Sequence, residues 1–142
     1  MFRENWFLYA IGSALFAGAT AILGKLGVHQ MNSNLATFIR TVVILCVTGL
    51  IITLRSEWQR PEKITTQGIV FLGFSGIAAA LSWLCYYRAL QLGPASKVAP
   101  IDKLSVVVAV VLAVAFLGET VKWQALLGIG LIFCGSILVA LA

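Results

Sequence analysis

Five long apolar segments, separated by short polar stretches, dominate the pattern of hydrophobic and polar positions along the chain. Each has about 19–25 residues, which matches the roughly 20 residues that a helix needs to cross a 30 Å hydrocarbon core. None shows the alternating polarity of a membrane β-barrel strand. The pattern predicts an all-α membrane protein with five transmembrane helices, at about residues 6–24, 35–54, 66–90, 95–117 and 123–141.

The stretches between these segments carry residues that are typical of helix ends. An Asn-Ser-Asn cluster at residues 32–34 favours a helix N-terminus before the second segment. Gly93 and Pro94 predict a tight break between the third and fourth helices, with Pro94 at or near the first helical position. Gly118 predicts the end of the fourth helix. No loop is long enough to form a domain, so we predict one domain over residues 1–142.

Composition agrees with a lipid environment. The chain is 61% hydrophobic and 11% charged, whereas an ordinary soluble domain is roughly 45–50% apolar and about 25% charged. The net charge of +5 is spread along the chain without a basic run, which argues against nucleic acid as a partner. Anionic lipid headgroups explain the basic residues adequately. The three cysteines lie far apart without metal-ligand or redox spacing, so we expect them to be small packing groups.

The chain contains no arrangement of residues that indicates an enzyme. It has no Gly-rich phosphate loop, no His and Glu at metal-binding spacing and no Ser-His-Asp set. Its single histidine lies in a loop. We therefore expect no enzymatic activity, no cofactor and no bound metal.

Asp102 and Lys103 lie inside the fourth apolar segment. A charge near the centre of a bilayer costs about 2.5–3.5 kcal/mol on insertion scales, so such residues usually face a partner or a water-filled cavity. Pro100 removes a backbone donor, and it predicts a kinked or loosened helix just before Asp102. Because adjacent helical residues project about 100° apart, we predict that Asp102 and Lys103 do not neutralise one another side by side.

Arg40 is the natural candidate partner for Asp102, because it also lies inside a predicted span, near the start of the second segment. The two residues would then form a structural ion pair that only fixes the helix bundle. Alternatively, they border a charged cavity in which Arg40 or Lys103 holds an anionic group, while Asp102 modulates that site or accepts a proton. The residues leave both interpretations open.

Trp83 and Tyr87, near the end of the third segment, also allow two interpretations. Their position favours an interfacial aromatic belt. The alternative is a cavity wall that gives stacking or cation–π contacts to a ligand. These two rings, with Arg40, Asp102 and Lys103, are the candidate residues for substrate binding or coupling.

Basic residues outside the spans give a weak orientation signal. Five lie on the N-terminal side of the predicted bundle and three on the opposite side. The positive-inside rule therefore favours a cytoplasmic N-terminus in the cell (inner or plasma) membrane, by only two charges. A difference this small permits both orientations. Because the number of spans is odd, the two termini lie on opposite faces.

The stretch from residue 81 to residue 119 contains a specific combination of residues. It consists of Trp83, then Tyr87-Arg88-Ala89-Leu90-Gln91-Leu92-Gly93-Pro94-Ala95-Ser96, then Ala99-Pro100 and Leu117-Gly118-Glu119. This combination resembles the EamA branch of the drug/metabolite transporter superfamily, and the five spans together resemble one EamA unit. Longer members usually carry small or apolar residues where this chain has Asp102 and Lys103, so the resemblance assigns these two residues no role.

The resemblance implies a secondary membrane transporter, with efflux of small metabolites or drugs as its expected activity. Typical members have two inverted units around a central cavity, so it also implies that a second copy or a paired half completes this single unit. An antiparallel homodimer is the simplest such oligomer. The alternatives are a non-transporting scaffold or regulatory subunit, and a component that flips lipids or lipid-linked sugars. The expected partners are a small-molecule substrate, membrane lipids and a second copy of the chain.

Overall fold

The structure, a computed structural model, describes residues 6–60 and 64–142. Within these ranges the chain is helical, without strands. The helices are α1 Trp6–Val28, α2 Ser33–Leu54, α3 Thr66–Leu92, α4 Ala95–Asp102, α5 Ser105–Leu117 and α6 Trp123–Leu141. Five segments of the described chain are long and apolar enough to cross a membrane, and α4 and α5 together supply the fourth of them. The predicted fold class is confirmed.

The predicted capping cluster begins α2. Asn32 has extended backbone angles (φ −62°, ψ 135°), and its side-chain oxygen accepts a hydrogen bond from the Asn34 amide at 2.9 Å. The Asn32 carbonyl accepts the first bond of the helix, from the Ala36 amide at 2.9 Å. A cap of this kind satisfies amides that have no partner inside the helix. The second helix therefore begins at Ser33, two residues before its predicted start.

The first helix continues to Val28, beyond its predicted end at residue 24. Lys25 interrupts the apolar pattern, but lysine is a good helix former and does not stop the helical backbone. Its ammonium donates a hydrogen bond to the Leu90 carbonyl in α3. The apolar pattern and the helix therefore end at different residues, because the last turn of α1 binds another part of the protein through a polar side chain.

The fourth span is divided into two helices. The first ends at Asp102 and the second begins at Ser105. In the turn between them, the Lys103 amide donates to the Pro100 carbonyl, three residues back, at 3.1 Å. Such bonds make a tighter turn than an α-helix. Pro100 has no amide hydrogen, and its ring clashes with the carbonyl four residues earlier. The predicted loosening near Pro100 is confirmed, and it takes the form of a tightened turn in which Lys103 and Leu104 keep right-handed helical backbone angles.

Pro94 and Gly118 bound this divided span. Pro94 lies one position before α4 with extended backbone angles (φ −69°, ψ 140°), and its carbonyl accepts bonds from the next helix turn. Gly118 ends α5 in the left-handed conformation (φ 66°, ψ 24°). Glycine adopts this conformation at little cost because it has no Cβ. The predicted end of the fourth span at Gly118 is confirmed.

The helices belong to two compact units. One unit is Lys25–Gln91, and the other is Leu92–Ala142 together with α1 up to Gly24. In the latter unit, α6 packs against α4 and, less extensively, against α5. Most of the large apolar side chains that the structure describes are exposed, and of the large ones only Val28 and Leu90 are fully buried. Helices that are apolar on all sides are typical of membrane spans, whose outer surface faces lipid.

Candidate functional site

Asp102 and Lys103 form an ion pair at the break in the fourth span. The distance from Lys103 Nζ to Asp102 Oδ2 is 3.4 Å. The prediction that these neighbours do not neutralise one another was wrong, because it took account of the direction of each side chain and not of the reach of lysine. Lys103 lies in the turn after α4, and from there its flexible side chain reaches the last residue of that helix.

Lys103 also lines an open groove of about 510 Å³ between α4 and α6. The remaining lining residues are Ala99 and Pro100 from α4, and Ile132, Gly135, Ser136 and Val139 from α6. The surface of the groove is almost entirely apolar, so Lys103 lines it with the aliphatic part of its side chain. The Lys103 side chain is 53% exposed and that of Asp102 is 36% exposed. The ion pair therefore lies beside an open space and is not sealed inside the helices.

Arg40 lies over two aromatic rings of α3. Its Cζ is 4.2 Å from the centroid of the Trp83 ring and 5.6 Å from that of the Tyr87 ring. The two rings are four residues apart, so they lie on one face of the helix. Tyr87 is only 5% exposed, which does not fit the lipid-facing aromatic belt that its position favoured. We call Arg40, Trp83 and Tyr87 the Arg40 cluster.

The guanidinium of Arg40 is incompletely satisfied. Its Nη1 is buried and has no hydrogen-bond partner among the described residues. The only described carboxylate in the unit Lys25–Gln91 is that of Glu57, which pairs with Arg55 at 3.8 Å. A buried donor without a partner costs about 1–3 kcal/mol, and cation–π contacts contribute about 0.5–2 kcal/mol. The two rings therefore stabilise the positive charge, but they leave the Nη1 donor without a hydrogen bond.

The predicted pairing of Arg40 with Asp102 joins residues of the two different units and stays a prediction. Within its own unit, Asp102 has Lys103 as a partner. Arg40, within its own unit, has the rings of Trp83 and Tyr87 as neighbours. The structure thus divides the five candidate residues into an ion pair beside a groove and an arginine against two rings.

A further polar cluster joins the end of α1 to the end of α3, and the sequence analysis missed it. The side-chain nitrogen of Gln91 donates to the carbonyls of Val28 at 3.3 Å and Met31 at 3.1 Å. Its oxygen accepts from Arg88 Nη1 at 2.7 Å. Lys25 donates to a carbonyl at the end of α3. The last carbonyls of a helix lack partners within it, so an amide and an ammonium at the ends of apolar helices are a recognisable signal. We call Gln91 and Lys25 the α1–α3 clasp.

The three cysteines do not pack inside the protein as expected. Cys46, Cys85 and Cys134 are free thiols, and each is exposed. All three lie on membrane-spanning helices, so their side chains face the surroundings of the helix bundle. Within the described residues, no group of three or more His, Cys, Asp or Glu side chains converges in a way that would hold a metal ion.

Together these features define a multi-pass helical membrane protein with an interrupted, charged span beside an open groove. A profile of the EamA-like transporter family matches residues 4–141. The chain belongs to this family, which confirms the resemblance drawn from its residues, and the protein is a membrane transporter. The family points to a transporter and not to an enzyme.

Two curated relatives cover almost the whole chain. A protein of Sinorhizobium sp. with the name "Uncharacterized transporter in cobO 3'region" is 47% identical over 137 residues, which make up 96% of this chain and 97% of its own. An uncharacterized protein of Methanocaldococcus jannaschii is 28% identical over 131 residues, or 91% of each chain. No solved structure matches the chain.

Proposed function

We propose that the protein is a secondary transporter of the cell (inner or plasma) membrane that exports small metabolites or drugs as an antiparallel homodimer. The observation that carries this proposal is the interruption of the fourth span at the Asp102–Lys103 ion pair. Secondary transporters use interrupted helices near the membrane midplane to present backbone dipoles and charges to a substrate. An ionisable residue inside a span is, for the same reason, a sign of a functional site.

The depth of the break supports a role in transport. The eight residues of α4 place the ion pair about 12 Å from the start of the span, at 1.5 Å per residue. This depth lies well inside a hydrocarbon core of about 30 Å. The adjoining groove of about 510 Å³ is open and shallow. Its apolar lining fits the apolar part of a small compound that lies beside the ion pair.

The odd number of spans and the balance of the charges support the homodimer. Five spans put the termini on opposite faces, and basic residues outside the spans are divided five to three. This weak bias lets a chain insert in either direction. The Sinorhizobium relative is also a single unit of this length. Two oppositely oriented copies then form the inverted pair of units from which many transporters are built.

Transport itself is tested by reconstituting the purified protein into liposomes and measuring the flux of a panel of amino acids, organic acids and cationic drugs. We expect at least one compound to move faster than in protein-free liposomes. Asp102→Asn should reduce that flux at least about tenfold, as removal of a positioned ionisable group does. Glu57→Gln is the matched control, because it makes the same change at a loop carboxylate. Absence of flux for the whole panel, or equal loss in both variants, contradicts the proposal.

Orientation is tested by cysteine labelling of intact cells. Cys46, Cys85 and Cys134 are replaced with Ala, and a single cysteine is then introduced by His29→Cys or Ser56→Cys. These positions lie in loops on opposite sides of the second span. A membrane-impermeant maleimide should label about half of the molecules of each variant if both orientations occur. Complete labelling of one variant and none of the other contradicts the antiparallel arrangement.

The open groove also favours a second candidate, the flipping of lipids or lipid-linked sugars. An apolar lining fits an acyl chain, and the Lys103 ammonium of the neighbouring ion pair fits a headgroup phosphate. In this case lipid should copurify with the protein in stoichiometric amount, and Lys103→Gln should reduce it. Reconstituted protein should also accelerate the transfer of fluorescent lipids between leaflets, as measured by dithionite quenching.

A further inference from the structure

The Arg40 cluster holds a positive charge that the proposed groove does not use. All three of its residues belong to the unit Lys25–Gln91, whereas the groove is lined by residues of α4 and α6. The Arg40 Cζ lies 4.2 Å from the Trp83 ring and 5.6 Å from the Tyr87 ring. The position of the guanidinium between these rings, and its free donors, indicate what it binds.

The guanidinium does not reach toward the membrane surface. The Gln91 side chain contacts Met31, so the end of α3 lies beside the start of α2. Trp83 is therefore the deeper ring, by about 6 Å for four helical residues. Side chains in helices lean toward the N-terminus, which for Arg40 is the shallow end. Its Cζ is nevertheless nearer to Trp83 than to Tyr87, so the charge lies closer to the deeper of the two rings.

The hydrogen-bond donors of Arg40 are not satisfied by its aromatic neighbours. Cation–π contacts use the positive charge and leave the N–H groups unused. Nη1 is buried without a partner among the described residues. Within the same unit, the only described carboxylate, that of Glu57, is paired with Arg55. A positive charge held by rings, with free donors and no carboxylate of its own unit beside it, is suited to an anion that is brought in from outside.

From these contacts we propose that the Arg40 cluster binds the anionic group, a carboxylate or a phosphate, of the compound that the protein transports. Arginine presents a planar fork of donors that matches both groups in a bidentate geometry. In surroundings of low polarity such a contact is stronger than in water. The aromatic rings orient the guanidinium, and the incoming anion completes its hydrogen bonds. This inference rests on the proposed transport function and names the class of substrate.

Binding is tested with the purified protein in nanodiscs of phosphatidylcholine. The other three tryptophans, Trp6, Trp58 and Trp123, are replaced with Phe, so that Trp83 is the single fluorescent reporter of its own site. The probes are inorganic phosphate, benzoate and benzamide, the last being the uncharged counterpart of benzoate. We expect a saturable change in Trp83 emission with phosphate or benzoate and none with benzamide.

Two variants of Arg40 and one control separate the site from general effects. Loss of a charge-assisted hydrogen bond should make Arg40→Gln bind the anion about 10- to 100-fold more weakly. Arg40→Lys keeps the charge without the planar fork and should give an intermediate value, and it stays informative if Arg40→Gln fails to fold. Arg88→Gln changes an exposed arginine of α3, the helix that carries the two rings, and should bind as the parent does. An equal response to benzamide, or unchanged anion binding in both Arg40 variants, overturns the proposal.

Lipid headgroups are a second source of phosphate, and nanodiscs of phosphatidylglycerol distinguish them. If only these nanodiscs change Trp83 emission, and soluble phosphate and benzoate have no effect, the substrate role of the site is overturned. The two measurements, anion binding and flux, also distinguish failure of this inference from failure of the transport function. Flux without anion binding at Arg40 removes this inference and leaves the transport function intact. Anion binding without flux of any compound supports the site and contradicts transport.

Discussion

Replacing Gln91 with Ala removes the side chain that joins the end of α3 to the end of α1. Two donor bonds are lost, to the carbonyls of Val28 at 3.3 Å and Met31 at 3.1 Å. The bond from Arg88, at 2.7 Å, is lost as well. The Val28 side chain is fully buried, so water has limited access to that carbonyl, whereas the Met31 bond is exposed.

The expected loss of stability follows from these differences. A typical hydrogen bond contributes about 0.5–1.5 kcal/mol net, and the higher part of that range applies where a buried group is left without a partner. We assign about 1–1.5 kcal/mol to the Val28 bond and about 0.5 kcal/mol to the exposed Met31 bond. The exposed Arg88 bond adds up to about 0.5 kcal/mol, so Gln91→Ala should lower the free energy of unfolding by about 1.5–2.5 kcal/mol.

Gln91→Glu is the matched variant, because it keeps the shape of the side chain and its bond to Arg88. A carboxylate cannot donate a hydrogen bond, so it faces the two carbonyls as a third acceptor. We expect it to be at least as destabilising as Gln91→Ala. Arg88→Ala removes only the exposed bond and should cost less than about 1 kcal/mol.

These free energies are measured by titrating the purified protein with SDS in mixed micelles and following helix content by circular dichroism. The ordering of the three variants is more informative than any single value. If Gln91→Glu were as stable as the unmodified protein, or Gln91→Ala cost less than the Arg88 variant, the clasp would not hold the two helices together.

Three further substitutions test the fourth span. Gly118→Ala should cost about 1 kcal/mol in the same SDS titration, because its φ of 66° strains a residue with a Cβ, while Gly118→Asn should recover part of the loss. Pro100→Ala restores an amide donor in α4, so it should raise the melting temperature and slow the flux; a lower melting temperature would contradict the cause assigned to the break. Asp102→Asn and Lys103→Gln should each reduce the flux, and the double variant should lose less than the sum of the two effects, because the side chains are 3.4 Å apart and coupled. Additive effects in liposome flux would show that the two charges act separately.

The spans were predictable because lipid imposes a simple rule on length and polarity. The limits of α6 agree with the prediction, and the cap at Asn32 was visible as a polar cluster before an apolar run. The predicted ends of α1 and α3 lie before the observed ends. The clasp residues that follow the apolar pattern are polar, but they are still helical. Hydropathy identifies the part of a helix that lies in lipid, and the helix can continue beyond that part.

The candidate site was only partly predictable. The sequence marked Arg40, Trp83 and Tyr87 separately, but contacts between α2 and α3 span more than 40 residues of sequence and leave no local signal. The prediction for Asp102 and Lys103 was wrong for a different reason. Pro100 indicates a disturbed helix. The 100° angle between adjacent side chains describes only a regular helix. In the tightened turn after α4, the long lysine side chain still reaches the carboxylate of its neighbour.

The length of α3 has a consequence for the choice of membrane. Its 27 residues make a rod of about 40 Å, at 1.5 Å per residue, and the 19 residues of α6 make one of about 28 Å. A bilayer about 30 Å thick therefore suits α6 almost upright, while α3 has to tilt or extend beyond it. Thickening or thinning the lipid will change the inclination of α3 first, and with it the height of Trp83. The length of the lipid acyl chains should therefore change the tilt of α3 without any mutation.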